Sequence, residues 1–129
     1  MEAPMILVVD DEPHVSEMLR EYFADLGYAV TVATTGSEAL RVAVANRPDA
    51  VILDMHLPDT TGDKLLAKFR ALDSSLSIVM LSGDAEDDIG RRQMMEAGAM
   101  QYLHKPFDFS LLRRTIDEAV EAGRECVAR

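Results

Sequence analysis

One short stretch near the start constrains the fold more than any other: Met5-Ile6-Leu7-Val8-Val9-Asp10-Asp11-Glu12-Pro13. An apolar run goes straight into consecutive acids and a proline. A continuous apolar run this short reads as a strand buried on both faces, as in a parallel sheet. It must stop where Asp10 and Asp11 begin, because ionised carboxylates are not held unpaired in such a core. Pro13 suits the first turn of a helix, so strand gives way to helix around those acids. Open parallel sheets carry their sites outside the carboxyl ends of the strands. Two adjacent acids at that edge repel each other and need a cation nearby.

The rest of the chain alternates strand and helix. Val15, Met18, Leu19, Tyr22, Phe23 and Leu26 recur at helical spacing and predict one apolar face, with Gly27 as the stop. Tyr28 to Ala33 alternates as an edge strand does. Thr35 and Glu38 fit a capping box for a second helix, running to about Arg47 before Pro48. Ala50-Val51-Ile52-Leu53 predicts a third buried strand ending at Asp54. The turn-rich Leu57-Pro58-Asp59-Thr60-Thr61-Gly62 follows. A third helix then turns Leu65, Leu66, Phe69 and Leu72 inward. Ile78-Val79-Met80-Leu81 predicts a fourth strand ending at Ser82-Gly83.

A fourth helix is expected from about Glu86 to Ala97. Gly90 inside it costs about 1 kcal/mol relative to alanine and weakens it locally. Gly98 stops it. Met100 to Leu103 predicts a short fifth strand before His104-Lys105-Pro106-Phe107. Asp108 caps a fifth helix with Leu112, Ile116, Ala119 and Val120 on one face. The pattern is α/β. Strands one, three and four are apolar throughout and belong in the middle; two and five are mixed and belong at the edges. A doubly wound five-stranded parallel sheet of flavodoxin-like order 2-1-3-4-5, flanked by five helices, satisfies this with right-handed crossovers.

A length of 129 residues fits a single domain, with a core over about 5–122 and 123–129 as a tail or the start of a linker. The net charge of −10 argues against direct nucleic-acid binding and against an anionic membrane as partner. No apolar stretch reaches membrane-spanning length and no leader-like segment opens the chain. Cys126 is the single cysteine, which excludes an intrachain disulfide and predicts a cytoplasmic location.

The strand ends carry the chemistry. Strand one ends at Asp10 and Asp11, strand three at Asp54, strand four at Ser82 and strand five at Lys105, and a parallel sheet brings them to one edge. Clustered carboxylates without Cys or His partners suit Mg²⁺ or Mn²⁺. A phosphoryl group fits a site of that kind. The Asp54 carboxylate can attack phosphorus to give an aspartyl phosphate, with Lys105 and Ser82 contacting its oxygens.

These residues together resemble the response-regulator receiver domain of two-component signal transduction. The resemblance covers Met5 to about Ala122. Val9-Asp10-Asp11-Glu12 is similar to the family's acidic pair. Asp54 with Leu57-Pro58 and Gly62 is similar to its phosphoacceptor region, Ser82-Gly83 to its hydroxyl position, and Lys105-Pro106-Phe107 to its lysine and following cis proline. Chemotaxis receivers are a known example of this strand order. The resemblance implies that Asp11, Asp54 and the backbone carbonyl of His56 ligate the metal, with Asp10 acting through water. It implies Tyr102 as a switch aromatic alongside Ser82. His56 and Asp84 take the positions that tune dephosphorylation.

The implied function is a phosphoacceptor signalling domain. It would take a phosphoryl group from a sensor histidine kinase or phosphotransfer protein onto Asp54 and change the helix 4–strand 5–helix 5 face. It is not an enzyme beyond its own phosphorylation and dephosphorylation. Partners expected at that face are an output domain or protein, or a second copy in a phosphorylation-dependent homodimer.

Plainer readings exist for each residue alone. One acid before Pro13 is often only a helix cap. Tyr102 suits a core. His14, His56 and His104 read as loop or surface residues, and Arg91-Arg92 and Arg113-Arg114 as solvated helix faces. A flavodoxin-like flavin binder shares the fold, but Asp-Asp-Glu-Pro would repel a phosphate lacking a metal. An aspartate-nucleophile phosphatase wants a second Asp two residues after its nucleophile, where this chain has His56. A degenerate receiver acting only as a protein-protein interaction module remains the alternative, although no acid or lysine of the pattern is missing.

Overall fold

The structure, a computed structural model, describes residues 3–83 and 88–127, with side chains through 122 apart from that of Asp88. The elements follow in the order β1 (Met5–Val9), α1 (Pro13–Asp25), β2 (Ala29–Ala33), α2 (Gly36–Ala45), β3 (Ala50–Asp54), α3 (Gly62–Leu72), β4 (Ser77–Ser82), α4 (Asp88–Glu96), β5 (Gln101–His104) and α5 (Phe109–Val127). The strands form one parallel sheet in the order β2-β1-β3-β4-β5, as expected.

Side-chain alternation divides the core in two. Leu7, Val9, Val51, Leu53, Ile78 and Met80 point to one face and pack with Ala39, Leu65, Phe69, Met94 and Tyr102. Ile6, Val8, Ile52, Val79 and Leu81 point to the other and pack with Leu19, Phe23, Leu112, Ile116 and Ala119. Thus α2, α3 and α4 cover one face and α1 and α5 the other. Phe23 and Phe69 are fully buried, each contributing about 1.5–3 kcal/mol through apolar area removed from water. The β1 and β3 strands sit in register with Val9 opposite Leu53. Asp10 and Asp54 therefore come next along two adjacent central strands.

Local signals act as their chemistry dictates. Thr35 Oγ1 accepts the N–H of Glu38 at 3.1 Å and caps α2. The Glu38 carboxylate reaches back to the N–H of Thr34, one residue earlier than a capping box requires. Asp108 accepts the N–H of Ser110 at 2.8 Å at the start of α5. Gly27 and Gly98 follow α1 and α4 with φ of +94° and +109°, a region open to glycine.

Some expectations are corrected. Tyr28 is outside β2, because its N–H is taken by Phe23 O in the turn after α1. The α2 helix stops at Ala45, two residues short of Arg47, where Asn46 turns extended. The β5 strand is shifted one residue, to Gln101–His104. Met18 and Leu72 are not inward: they are 49% and 47% exposed. Each borders a surface groove, Leu72 beside Val44, Pro48 and Leu76, and Met18 beside Val15, Phe107 and Phe109. Residues 84–87 lie outside the described residues, so the expected start of the fourth helix at Glu86 does too; α4 is described from Asp88. Asp84 and the side chain of Cys126 also lie outside them.

Candidate functional site

Strand ends build the site. The main chain fixes Asp10 where β1 stops: its N–H donates to Ala33 O of β2 at 3.1 Å. Its Oδ1 accepts the N–H of Glu12 at 2.9 Å, so the carboxylate folds over the following turn. Glu12 is the residue preceding α1, and its side chain makes no capping bond. Asp10 is therefore not a helix cap. Asp54, the last residue of β3, is held between Leu53 and Met55, whose N–H donates to Leu81 O of β4 at 3.0 Å. Asp10 and Asp54 are 1% and 5% exposed.

Lys105 joins these acids. Its N–H donates to Ser82 O at 2.7 Å, which aligns the loop after β5 with the end of β4. Its ammonium lies 3.1 Å from Glu12 Oε1, 3.2 Å from Asp10 Oδ2 and 3.4 Å from Asp54 Oδ2. The Lys105–Pro106 peptide bond is cis. Carboxylate oxygens of Asp10, Glu12 and Asp54 all lie within 4.8 Å of one another. The buried Asp10 and Asp54 carboxylates offer hard oxygen ligands, and the net excess of negative charge around them fits Mg²⁺ or Mn²⁺.

The electrostatics follow from this crowding. Burial pushes the Asp10 carboxyl up; the Glu12 N–H and the Lys105 charge oppose this, the Asp54 charge adds to it, and the result is about 6 against an ordinary 3.8. Burial pushes the Lys105 ammonium down, but Asp10, Asp54 and Glu12 together outweigh it, so Lys105 is held above its ordinary value.

The loop after Asp54 is closed on itself. His56 and Thr61 pair across it, Leu57 N–H donates to Thr60 O at 3.2 Å, and Gly62 N–H donates to Met55 O at 2.7 Å. A Cβ on Gly62 would come within 2.8 Å of Met55 Cα, so only glycine lets α3 start this close to the strand end.

Residues 6–117 match the family model described as the response regulator receiver domain. The chain belongs to that family. This receiver domain is 40% identical over 105 residues to the transcriptional regulatory protein PrrA of Mycobacterium tuberculosis, covering 81% of this chain and 45% of that protein. It is 37% identical over 131 residues to the probable transcriptional regulatory protein TcrX of the same organism, covering 95% and 55%. The chain thus spans about half the length of these curated relatives. The receiver domain of an HD domain-containing protein from Pseudomonas fluorescens superposes with a TM-score of 0.90 at 27% identity, covering all of this chain and 95% of that one.

The receiver's expected site residues are not equally represented at the centre. Asp10, Asp54 and Lys105 converge, and Ser82 is buried at the end of β4 beside them. Asp11 is exposed and its carboxylate is outside the close group. Glu12 lies in that group instead, its Oε1 on the Lys105 ammonium, a residue to which sequence reasoning assigned no role. The signal that could have found it is its position just before Pro13, where the chain turns back over the site. His56 is exposed on the loop, and its N–H faces Asp54 Oδ1 at 3.4 Å. Tyr102 is 2% exposed inside the core. His14 is exposed on α1, a surface residue as expected, whereas His104 is half-buried at the end of β5 with its ring 5.6 Å from that of Tyr102. Arg91, Arg92, Arg113 and Arg114 are exposed as expected. Among the described residues no helix is long and apolar enough to cross a membrane.

Proposed function

We propose that this receiver domain accepts a phosphoryl group on Asp54 from a phosphohistidine of a sensor kinase or phosphotransfer protein. The observation that carries the reading is the Lys105 ammonium bridging the buried Asp10 and Asp54 carboxylates at adjacent strand ends. A buried acid beside a fixed cation is a nucleophile with a ready partner for incoming anionic oxygens.

The chemistry divides among the residues. An oxygen of Asp54 forms the new bond to phosphorus as the phosphorus–nitrogen bond breaks, and the bonding pair returns to the departing imidazole. Lys105 binds one phosphoryl oxygen and the Ser82 hydroxyl another. Asp10 and Asp54, with Asp11 and the His56 carbonyl, would hold Mg²⁺ or Mn²⁺. Held there, such an ion would supply charge neutralisation for the phosphoryl oxygens. In the separate hydrolysis step water attacks phosphorus, the pair of the breaking oxygen–phosphorus bond returns to the Asp54 carboxylate, and inorganic phosphate leaves with the water's oxygen and protons. His56 and Asp84 would set how readily that water is positioned.

Signalling then follows as a population shift. Ser82 and Tyr102 reposition, and the α4–β5–α5 face changes what it offers to an output domain or to a second copy of the chain. Gly90 within α4 fits a movable helix.

The test is incubation with acetyl phosphate and Mg²⁺, followed by intact mass. One phosphoryl addition is expected, and Asp54→Asn should abolish it with the fold intact. Undiminished labelling of the variant would remove Asp54 from the role. An unlabelled wild type would instead favour a receiver that acts only as an interaction module.

A further inference from the structure

Lys105 has three N–H donors, and in the structure three carboxylates surround them. An arriving phosphoryl oxygen must therefore displace one of the three. Asp54 is the attacking group and stays at the centre. Asp10 is 1% exposed, and losing Lys105 would leave a buried charge without its cation. Glu12 differs from both. Its side chain is 59% exposed, yet it makes the shortest of the three contacts, at 3.1 Å. It can return to water at little cost, because exposed ion pairs are weak.

Resting on the phosphoacceptor reading, we infer that Glu12 is a positioning residue that occupies the phosphoryl-oxygen place on Lys105 in the resting site and yields it to the incoming group. Glu12 is a tethered anion. It keeps the Lys105 side chain extended toward Asp54 and competes with any anionic oxygen for the same donor. Beside the pair there is room for Glu12 to withdraw: Glu12 and Lys105 share the wall of a solvent-open cavity of about 390 Å³ with Val15, Met18, Pro106 and Phe107.

The test compares wild type, Glu12→Gln and Glu12→Asp. Gln keeps the length without the charge. Asp keeps the charge on a shorter stem that falls short of Lys105. Titrate each with Mg²⁺ alone, then with beryllofluoride at saturating Mg²⁺, following amide NMR shifts. Both variants should bind beryllofluoride about two- to fivefold tighter than wild type, the factor expected for an exposed ion pair. Mg²⁺ affinity should stay within about twofold, as expected when an exposed contact outside the ligand set is lost.

Equal or weaker beryllofluoride binding by Glu12→Gln overturns the inference. A gain in Glu12→Gln that Glu12→Asp lacks also overturns it, since the effect would then be the field of one charge rather than the contact. A large loss of Mg²⁺ affinity makes Glu12 a cation ligand and overturns it too. If the affinity order holds but acetyl phosphate labels none of the three proteins, the phosphoacceptor reading fails while the hold of Glu12 on Lys105 stands.

Discussion

Arg70 on α3 donates a 2.7 Å hydrogen bond to the carbonyl of Gly98, in the turn after α4. The same guanidinium reaches Ser74 O at 3.3 Å. Its stem lies against Gly98, where a Cβ would come within 2.8 Å of Nε. One side chain thus ties the end of α3 to the end of α4. The C-terminal end of α4 is pinned, and movement of this helix should be a swing about that end. Arg70→Ala removes hydrogen bonds from a charged donor, which contribute about 1.5–3 kcal/mol when well formed and less where half-exposed. A loss near 1 kcal/mol in urea unfolding is expected, with faster amide exchange at 94–100. Unchanged exchange there would show that the pin does not hold the helix.

Asp54→Ala should raise stability in the absence of divalent cations. Three carboxylates face one ammonium, and two of them are buried. Removing one relieves repulsion near a low-dielectric edge, by an amount of order 1 kcal/mol or more. A variant melting below wild type would mean that Lys105 or a shared proton already neutralises the cluster.

Asp10 makes cation-free stability depend on pH. Its folded value is about 6, above the ordinary 3.8, so between these values the folded protein binds more protons than the unfolded chain. The stabilisation is fully present below 3.8 and is lost as pH rises through 6. Asp59, Asp63 and Asp73 are all shifted down, so their contribution is lost only as pH falls below the usual carboxylate range. Urea midpoints measured at pH values across that window, for wild type and Asp10→Asn, should diverge progressively. A constant difference would show that Asp10 keeps its ordinary value.

Ser82→Ala should separate chemistry from signalling. The hydroxyl is one neutral donor, contributing about 0.5–1.5 kcal/mol net, so phosphorylation should slow only modestly. Coupling should suffer more, because the hydroxyl is the group that would link a phosphoryl oxygen to the end of β4, while the main-chain bond to Lys105 survives the substitution. NMR spectra with and without beryllofluoride should show reduced shifts across residues 86 to 104. Shifts of full size would route the switch through another contact.

The sheet order was legible because β1, β3 and β4 carry apolar residues on both faces, which edge strands need not do. Asp54, Asp10 and Lys105 were legible because strand termini in a parallel sheet share an edge. Direction was not legible. Asp11 and Glu12 are neighbours of the same charge, and only the backbone turn that lends the Glu12 N–H to Asp10 decides which one folds over the site. Burial depth was also beyond reach: spacing places Met18 and Leu72 on an apolar face without saying where the covering helix ends. Arg70 carries no sequence signal at all, since a lone arginine late in a helix reads as a solvated one.

The loop that follows Asp54 is moored on one flank. Asp59 accepts N–H bonds from Gly36 at 2.8 Å and Ser37 at 3.1 Å, together with the Ser37 hydroxyl, at the very start of α2. On the opposite flank, Met55 and His56 face Ile89 and Met94 of α4 across an open crevice of about 270 Å³. The two sides are built differently: hydrogen bonds fasten the α2 side, and open space borders the α4 side. A load placed on the end of β3 is therefore expected to displace it toward α4. The bearing of a push at the end of β3 would then depend as much on where the loop is tied down as on what pushes it.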